Sequence, residues 1–338
     1  MILFSIYLLI IFLCAYIFKE KGLLLNYSGE SHQSFSNKKN IPLSGGIFML
    51  IPIIFFLSSN IILIFFFILI FLIGFFSDRK ILISPRKRFF FQTIIILLFV
   101  TILDFKILSS KIEFFDILLK NEIYAYFFST FCILILINGN NFIDGLNGLV
   151  ISYSLIVLYF LSNLGLIDNY VISEQSINLI LLLLITLLLL NISNILMIGD
   201  GGAYLLGFFL GYIIISSHIN NQNISPYFYI ALIWYPCFEN LFSILRKLSK
   251  NFSPLKPDSK HLHQLVFFLV KKKLNISMHF SNNLSSMLIL FFNFLIIYIS
   301  SLYPENTMYQ LKLIITSVIL YYVIYTLLRK FRELNLKS

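Results

Sequence analysis

Eleven apolar runs separated by short polar breaks constrain this 338-residue chain more than any other feature. They lie near 2–18, 44–58, 61–77, 89–105, 123–139, 148–164, 176–193, 203–217, 227–245, 283–302 and 310–328. Several approach or exceed the length that an α-helix needs to cross roughly 30 Å of hydrocarbon. Apolar residues make up 59% of the chain and charged ones 12%, far outside the range of soluble domains. The expectation is an all-α polytopic membrane protein, one domain over 1–338, with about 11 transmembrane helices. Residues 1–18 lack a basic start and a small-residue cleavage site, so they read as a retained first span rather than a signal peptide. Cys14, Cys132 and Cys237 each stand alone in an apolar run, a pattern of buried thiols rather than of disulfides or a metal site.

Basic residues set the expected sidedness. Segments 19–43, 78–88, 246–282 and 329–338 hold four, five, eight and four Lys or Arg, 21 of the 25 in the chain. The positive-inside rule puts these segments in the cytoplasm, with the N-terminus outside and the C-terminus inside. The formal charge of +10 is then mostly a topology signal with some attraction to anionic lipid headgroups. No soluble basic face for nucleic acid is present.

With that topology, five polar islands fall on the cytoplasmic side. They are IPLSGG (41–46), SDRKILISPRKR (77–88), NGNNFIDGLNG (138–148), IGDGGAYLLG (198–207) and RKLSKNFSPLKPDSKHLHQL (246–265). The corresponding cytoplasmic loops are expected near 19–43, 78–88, 139–148, 194–202 and 246–282. The outward connections DFKILSSKIEFFD and SSHINNQNISP read as solvated linkers, with His218 at the surface.

Residues 138–148 hold four asparagines, an aspartate and three glycines. Asp144 and Asp200 lie within a few residues of apolar helix, where a mid-span aspartate costs roughly 2.5–3.5 kcal/mol. A cation or a polar cavity is the natural compensation. Flanking glycines (Gly145 and Gly148; Gly199, Gly201 and Gly202) let the backbone approach a ligand and open its amides to phosphate oxygens. Oxygen ligands beside such backbone suit Mg²⁺, a hard ion that keeps waters and shares substrate phosphates. His261 and His263 could form half of a metal site. With no third soft ligand nearby and with Arg246, Lys247, Lys256 and Lys260 around them, phosphate contacts are the favoured reading. The following LHQLVFFLVKKKL reads as a helix lying in the membrane interface. Glu239, an acid inside the ninth run, is expected to brace Arg246.

In these motifs the chain resembles the polyprenyl-phosphate N-acetylhexosamine-1-phosphate transferases of glycosyltransferase family 4. NxxNxxDGxNGL and GDGGAYLLGFFLG are the specific matches, SPxxR followed by Gln92 a supporting one, and all five islands occur in family order. The resemblance is nearest to bacterial enzymes that start O-antigen or related surface glycans. It implies Mg²⁺-dependent transfer of a sugar 1-phosphate from a UDP-N-acetylhexosamine to undecaprenyl phosphate in the inner membrane, with Mn²⁺ as a substitute ion and a homodimer allowed. By the same resemblance Asn141 and Asp200 match the metal ligands, with Asp144 close by. Gly145 and Asn147 match positions near the uracil. Arg88, with Lys87 beside it, falls where a basic residue reaches the diphosphate, and Arg246 is a further candidate for substrate. His261 and His263 match the loop that closes over the phosphates. Where the family carries an Asp-Asp pair, this chain reads Ser77-Asp78, which leaves Asp78 as the candidate catalytic acid and Ser77 as a neutral neighbour. The pentapeptide-transferring branch of peptidoglycan synthesis ranks second. A transporter of lipid-linked sugars, or an inactive scaffold, is the alternative from another class.

Overall fold

The computed structural model describes residues 2–25, 41–57, 60–167, 172–249, 251, 253 and 259–335. Among them the only regular structure is helical, in fourteen helices. The first seven are α1 (Ile2–Glu20), α2 (Gly45–Phe56), α3 (Ile61–Asp78), α4 (Pro85–Ile102), α5 (Glu113–Leu119), α6 (Glu122–Ile143) and α7 (Leu149–Asn163). They are followed by α8 (Glu174–Ile192), α9 (Gly199–Asn220), α10 (Pro226–Leu232), α11 (Trp234–Leu248), α12 (Leu262–Leu274), α13 (Met278–Ser301) and α14 (Thr307–Asn335). Each of the eleven apolar runs is helical. By length and composition, however, six helices qualify as spans (α3, α6, α8, α9, α13 and α14), or seven counting the α10–α11 pair. α2 and α7, of 12 and 15 residues, are shorter, and α4 opens with three basic residues. Helix α12 coincides with the expected interfacial segment.

The architecture is organised around α9. Within its most apolar stretch 89% of residues are buried, against 17% for the peripheral α14. Helices α2, α3 and α6 pack on it. Between α3 and α9 the spacing is set by glycine: a Cβ on Gly74 would lie 2.5 Å from the main chain of Asp200 and Gly201. Small residues allow such approach where lipid offers no hydrophobic drive between helices and packing has to supply it.

Four expectations change. The ninth run is not one helix, because α10 and α11 meet at a 77° bend. Pro236 explains the break, since its ring would clash with the carbonyl of residue 232, where α10 ends. The freed Leu232 carbonyl is taken up by the Tyr153 hydroxyl at 2.9 Å. The loops expected at 139–148 and 194–202 are partly helical, since α6 runs to Ile143 and α9 starts at Gly199. Four residues beyond its expected start, α4 extends back to Pro85, which suits a first turn that needs no N–H. Finally, the outward connections are more structured than solvated linkers: α5 lies within one, and His218 is 7% exposed with Nε2 3.0 Å from the Ser109 carbonyl. In the same region Lys106 bridges Asp104 (2.7 Å) and Glu122 (2.8 Å), and its hydrogen bond holds the Asp104 carboxyl below the usual carboxylate range.

Candidate active site

Helix α9 begins inside the protein, and its start is fastened from two sides. The IPLSGG segment pairs with the chain just before it: Met197 N donates to Pro42 O (2.9 Å), Gly45 N to Met197 O (3.0 Å) and Gly46 N to Ile198 O (3.2 Å). From α3, the Asp78 carboxylate accepts the Asp200 N–H at 2.8 Å and the Gly201 N–H at 3.0 Å. The first turn of a helix has N–H groups without intrahelical partners and a partial positive charge. A buried carboxylate arriving from another helix satisfies two of them. Gly199, at φ +70°, makes room, since a Cβ there would lie 2.5 Å from Asp78 Oδ2. Both Asp78 oxygens are thus committed to the main chain of α9, which makes Asp78 a holder of Asp200.

Asp200, on this first turn, is the hub of the site. Its Oδ2 accepts from Ser77 Oγ (2.6 Å) and from Arg88 Nη1 (2.6 Å), and its Oδ1 accepts from Asn141 Nδ2 (2.8 Å). Arg88 Nη1 also donates to Ser77 Oγ. Three residues from the ends of α3, α4 and α6 therefore converge on one carboxylate at the start of α9. The side chains of Arg88 and Asp200 stay 20% and 29% exposed, so the pair is recessed but open. Asn138, one turn back from Asn141, donates to Gln92 Oε1 at 3.1 Å and extends the polar wall down α4.

The histidine segment packs against the end of α6. The rings of His261 and His263 stack at 5.6 Å and 13°, and His261 lies 5.3 Å from the ring of Phe142, the residue after Asn141. Lys247 Nζ stands 5.9 Å from the same Phe142 ring. Gly145 sits directly under His263, where a Cβ would run into the ring. Asp144 is the C-cap of α6.

The other candidates are placed as follows. Asn147 is 2% exposed and belongs to a separate knot of amides. Its N–H donates to Asn282 Oδ1 (2.7 Å), and its Nδ2 donates to Asn194 Oδ1 (2.8 Å) and Asn283 Oδ1 (3.2 Å). Asn191 Oδ1 accepts the Gly148 N–H at 2.5 Å, and Asn194 Nδ2 lies 2.5 Å from His279 Nδ1. Lys87 is exposed, near the start of α4. Arg246 donates to Ser243 Oγ at 3.2 Å. Glu239 bonds His261 Nδ1 (3.0 Å) and the Tyr321 hydroxyl (2.7 Å), so its partners are these and not the expected Arg246. An arginine seven residues on along the same helix is two turns away, whereas the histidine arrives from the next element. Sequence reasoning missed Tyr321 and the amides of α8 and α13, and it took Ser77 for a bystander.

A divalent cation can be tested against these groups. Among the described residues no three His, Cys, Asp or Glu side chains come together as a metal cluster. An octahedral ion that keeps several waters does not need one. Asp200 already attracts a cation, Arg88, and an amide rotation would turn Asn141 Oδ1 to it; amide O and N are assigned from hydrogen bonding. The donor set fits a hard ion held by one carboxylate and one amide oxygen, with Arg88 moved aside.

Comparison with known proteins follows the same residues. Residues 60–218 match the family model described as Glycosyl transferase family 4. The undecaprenyl-phosphate alpha-N-acetylglucosaminyl 1-phosphate transferase of Escherichia coli is 24% identical over 149 residues, and that of Yersinia pestis 26% over 153. Each match covers 42% of this chain and 41% of the relative, so the chain spans well under half the length of the curated relatives it matches. The resemblance read from the motifs is borne out, and the matched stretch carries Asp78, Arg88, Asn141, Asp144, Gly145, Asn147 and Asp200. Arg246, His261 and His263 lie beyond it.

Proposed function

We propose that the protein is a phosphoglycosyl transferase that moves N-acetylhexosamine 1-phosphate from a UDP-sugar to undecaprenyl phosphate at the cytoplasmic face of a bacterial inner membrane. The observation that carries this reading is the convergence of Arg88, Asn141 and Ser77 on Asp200 at the buried start of α9. It sits within residues 60–218, the stretch that matches the Glycosyl transferase family 4 model.

In this reading a lipid phosphate oxygen attacks the sugar-bearing β-phosphorus of the donor. The bond from that phosphorus to the bridging oxygen breaks, and UMP leaves. A phosphate monoester is largely ionised near pH 7, so the attacking group needs no strong base. Mg²⁺ (or Mn²⁺), held by Asp200 and Asn141, would neutralise diphosphate charge when bound. Arg88 moves its guanidinium from Asp200 to the same phosphates, and His261 and His263 close over them from α12. Asp78 keeps Asp200 in place through the α9 main chain, and Asp144 adds its carboxylate at the mouth. Confinement of both substrates to one membrane plane supplies proximity.

The test is direct. Membranes containing the protein are incubated with radiolabelled UDP-sugars and undecaprenyl phosphate, and the lipid phase is counted. Label in lipid together with released UMP supports the reading; no label with any UDP-N-acetylhexosamine, with Mg²⁺ present, overturns it.

A further inference from the structure

A carboxylate buried among apolar helices needs a purpose, and Glu239 is 1% exposed on α11. It does not belong to the Asp200 cluster. Its Oε2 accepts from the hydroxyl of Tyr321 on α14 at 2.7 Å. Its Oε1 faces His261 Nδ1 at 3.0 Å and the Leu262 N–H at 3.4 Å. Tyr321 is fully buried, with the rings of Phe238 and Phe242 at 4.9 and 5.4 Å, so its hydroxyl has a fixed place. His261 is 5% exposed, with the His263 ring nearly parallel to it at 5.6 Å and the Phe142 ring tilted by 36° at 5.3 Å. Its backbone N–H is taken by Gln264 Oε1 at 3.1 Å. Residues of α6, α11, α12 and α14 thus meet around one imidazole.

We propose that Glu239 is a positioning residue for His261, resting on the transferase reading above. An ionised carboxylate only accepts hydrogen bonds, so the proton on the shared edge belongs to His261 Nδ1. That assigns the tautomer and turns Nε2 away from Glu239. A ring held at one edge by Glu239 and flanked by two further rings can present Nε2 to a phosphate oxygen in one orientation, without reorganisation during the reaction. Tyr321 supplies the same service one step further out by fixing the carboxylate rotamer. The last helix thereby takes part in the site without touching it.

The experiment uses the full chain in detergent and reads kcat and KM for wild type, E239Q, H261A and the double variant. Gln keeps the shape of Glu239 and an acceptor oxygen, so folding is preserved. Its neutral amide holds Nδ1–H less firmly. E239Q is expected to lower kcat about 10- to 100-fold with donor KM within about twofold, and to cause no further loss in the H261A background. Equal losses from E239Q in both backgrounds, or a loss confined to KM and thermal stability, would show a merely structural acid and overturn the proposal. A second arm labels the five histidines with ¹⁵N and assigns His261 by its loss in H261A. Protonation at Nδ1 in wild type, altered in E239Q, is expected; an unprotonated Nδ1 in wild type would defeat the assignment. If the wild-type protein makes no lipid-linked sugar, the transferase reading fails, while the ¹⁵N arm still decides the Glu239–His261 contact.

Discussion

Two polar knots lie at the same end of the helix bundle, and they are built differently. One is charged and partly open: Arg88, Ser77 and Asn141 converge on Asp200, with the ion pair 20% and 29% exposed. The other is made of neutral amides: Asn147 with Asn194, Asn282 and Asn283, and Asn191 on Gly148 N–H. The first has a charge that a ligand can compete for. The second bonds mostly within itself, leaving Asn147 Oδ1 as its orphan, and ties the turn after α6 to α8 and α13. Asparagine density therefore marked two kinds of knot, one charged and open, the other neutral and mostly buried.

If this division holds, substitutions in the two knots should fail in different ways. The largest effect is expected for Asp200→Asn, which removes the charge at the hub: transfer should fall by at least about 100-fold while the purified protein keeps its helical circular dichroism. Substantial activity in that variant would sink the claim that the charged knot does chemistry. Next comes Asp78→Asn, which offers one acceptor oxygen and one conflicting NH₂ to two α9 amides. Turnover should drop at least tenfold, about 1.4 kcal/mol in the barrier, and thermal unfolding should move down with it, because the holder of Asp200 is also a holder of α9. A drop in turnover with unchanged unfolding would make Asp78 a direct participant.

Ser77→Ala is expected to act less. It removes one hydrogen bond to Asp200 and leaves Arg88 paired, for a loss of several-fold in kcat, on the order of 1 kcal/mol. The mildest effect on chemistry should come from the amide knot. Asn282→Ala leaves the buried Asn147 N–H without its acceptor, which costs about 1–3 kcal/mol of stability, read by thermal unfolding with kcat nearly unchanged in the surviving fold. If Asn282→Ala instead abolished turnover at full stability, the two knots would be one site.

How much of this was legible in the sequence follows from the range over which each signal acts. Apolar runs are local, so all eleven helical segments were readable, while the break that Pro236 puts in the ninth was overlooked. Of the Asp200 hub, Asp200 stood out as an acid among glycines beside apolar helix, whereas Asn141 and Arg88 were reached through the family resemblance of their motifs. The amide knot was not: Asn147 and Asn282 stand 135 residues apart, and an asparagine near a helix end carries no mark of its partner. Glu239 was noticed but given the wrong partner, since Tyr321 is a tyrosine among many in an apolar run. His218 was taken for a surface group because its neighbours in sequence are polar, while the element that buries it comes from the Ser109 connection.

The brevity of α2 and α7 bears on the membrane itself. At 1.5 Å per residue their 12 and 15 residues reach about 18 and 22 Å, against roughly 30 Å of hydrocarbon. Lipids beside them must compress, or polar headgroups and water must dip toward the bundle. α2 lies against α9, whose start carries Asp200. A dimple at that point would lower the aqueous boundary toward the carboxylate, to the depth at which the proposed transfer would bring a water-soluble donor to a lipid-soluble acceptor.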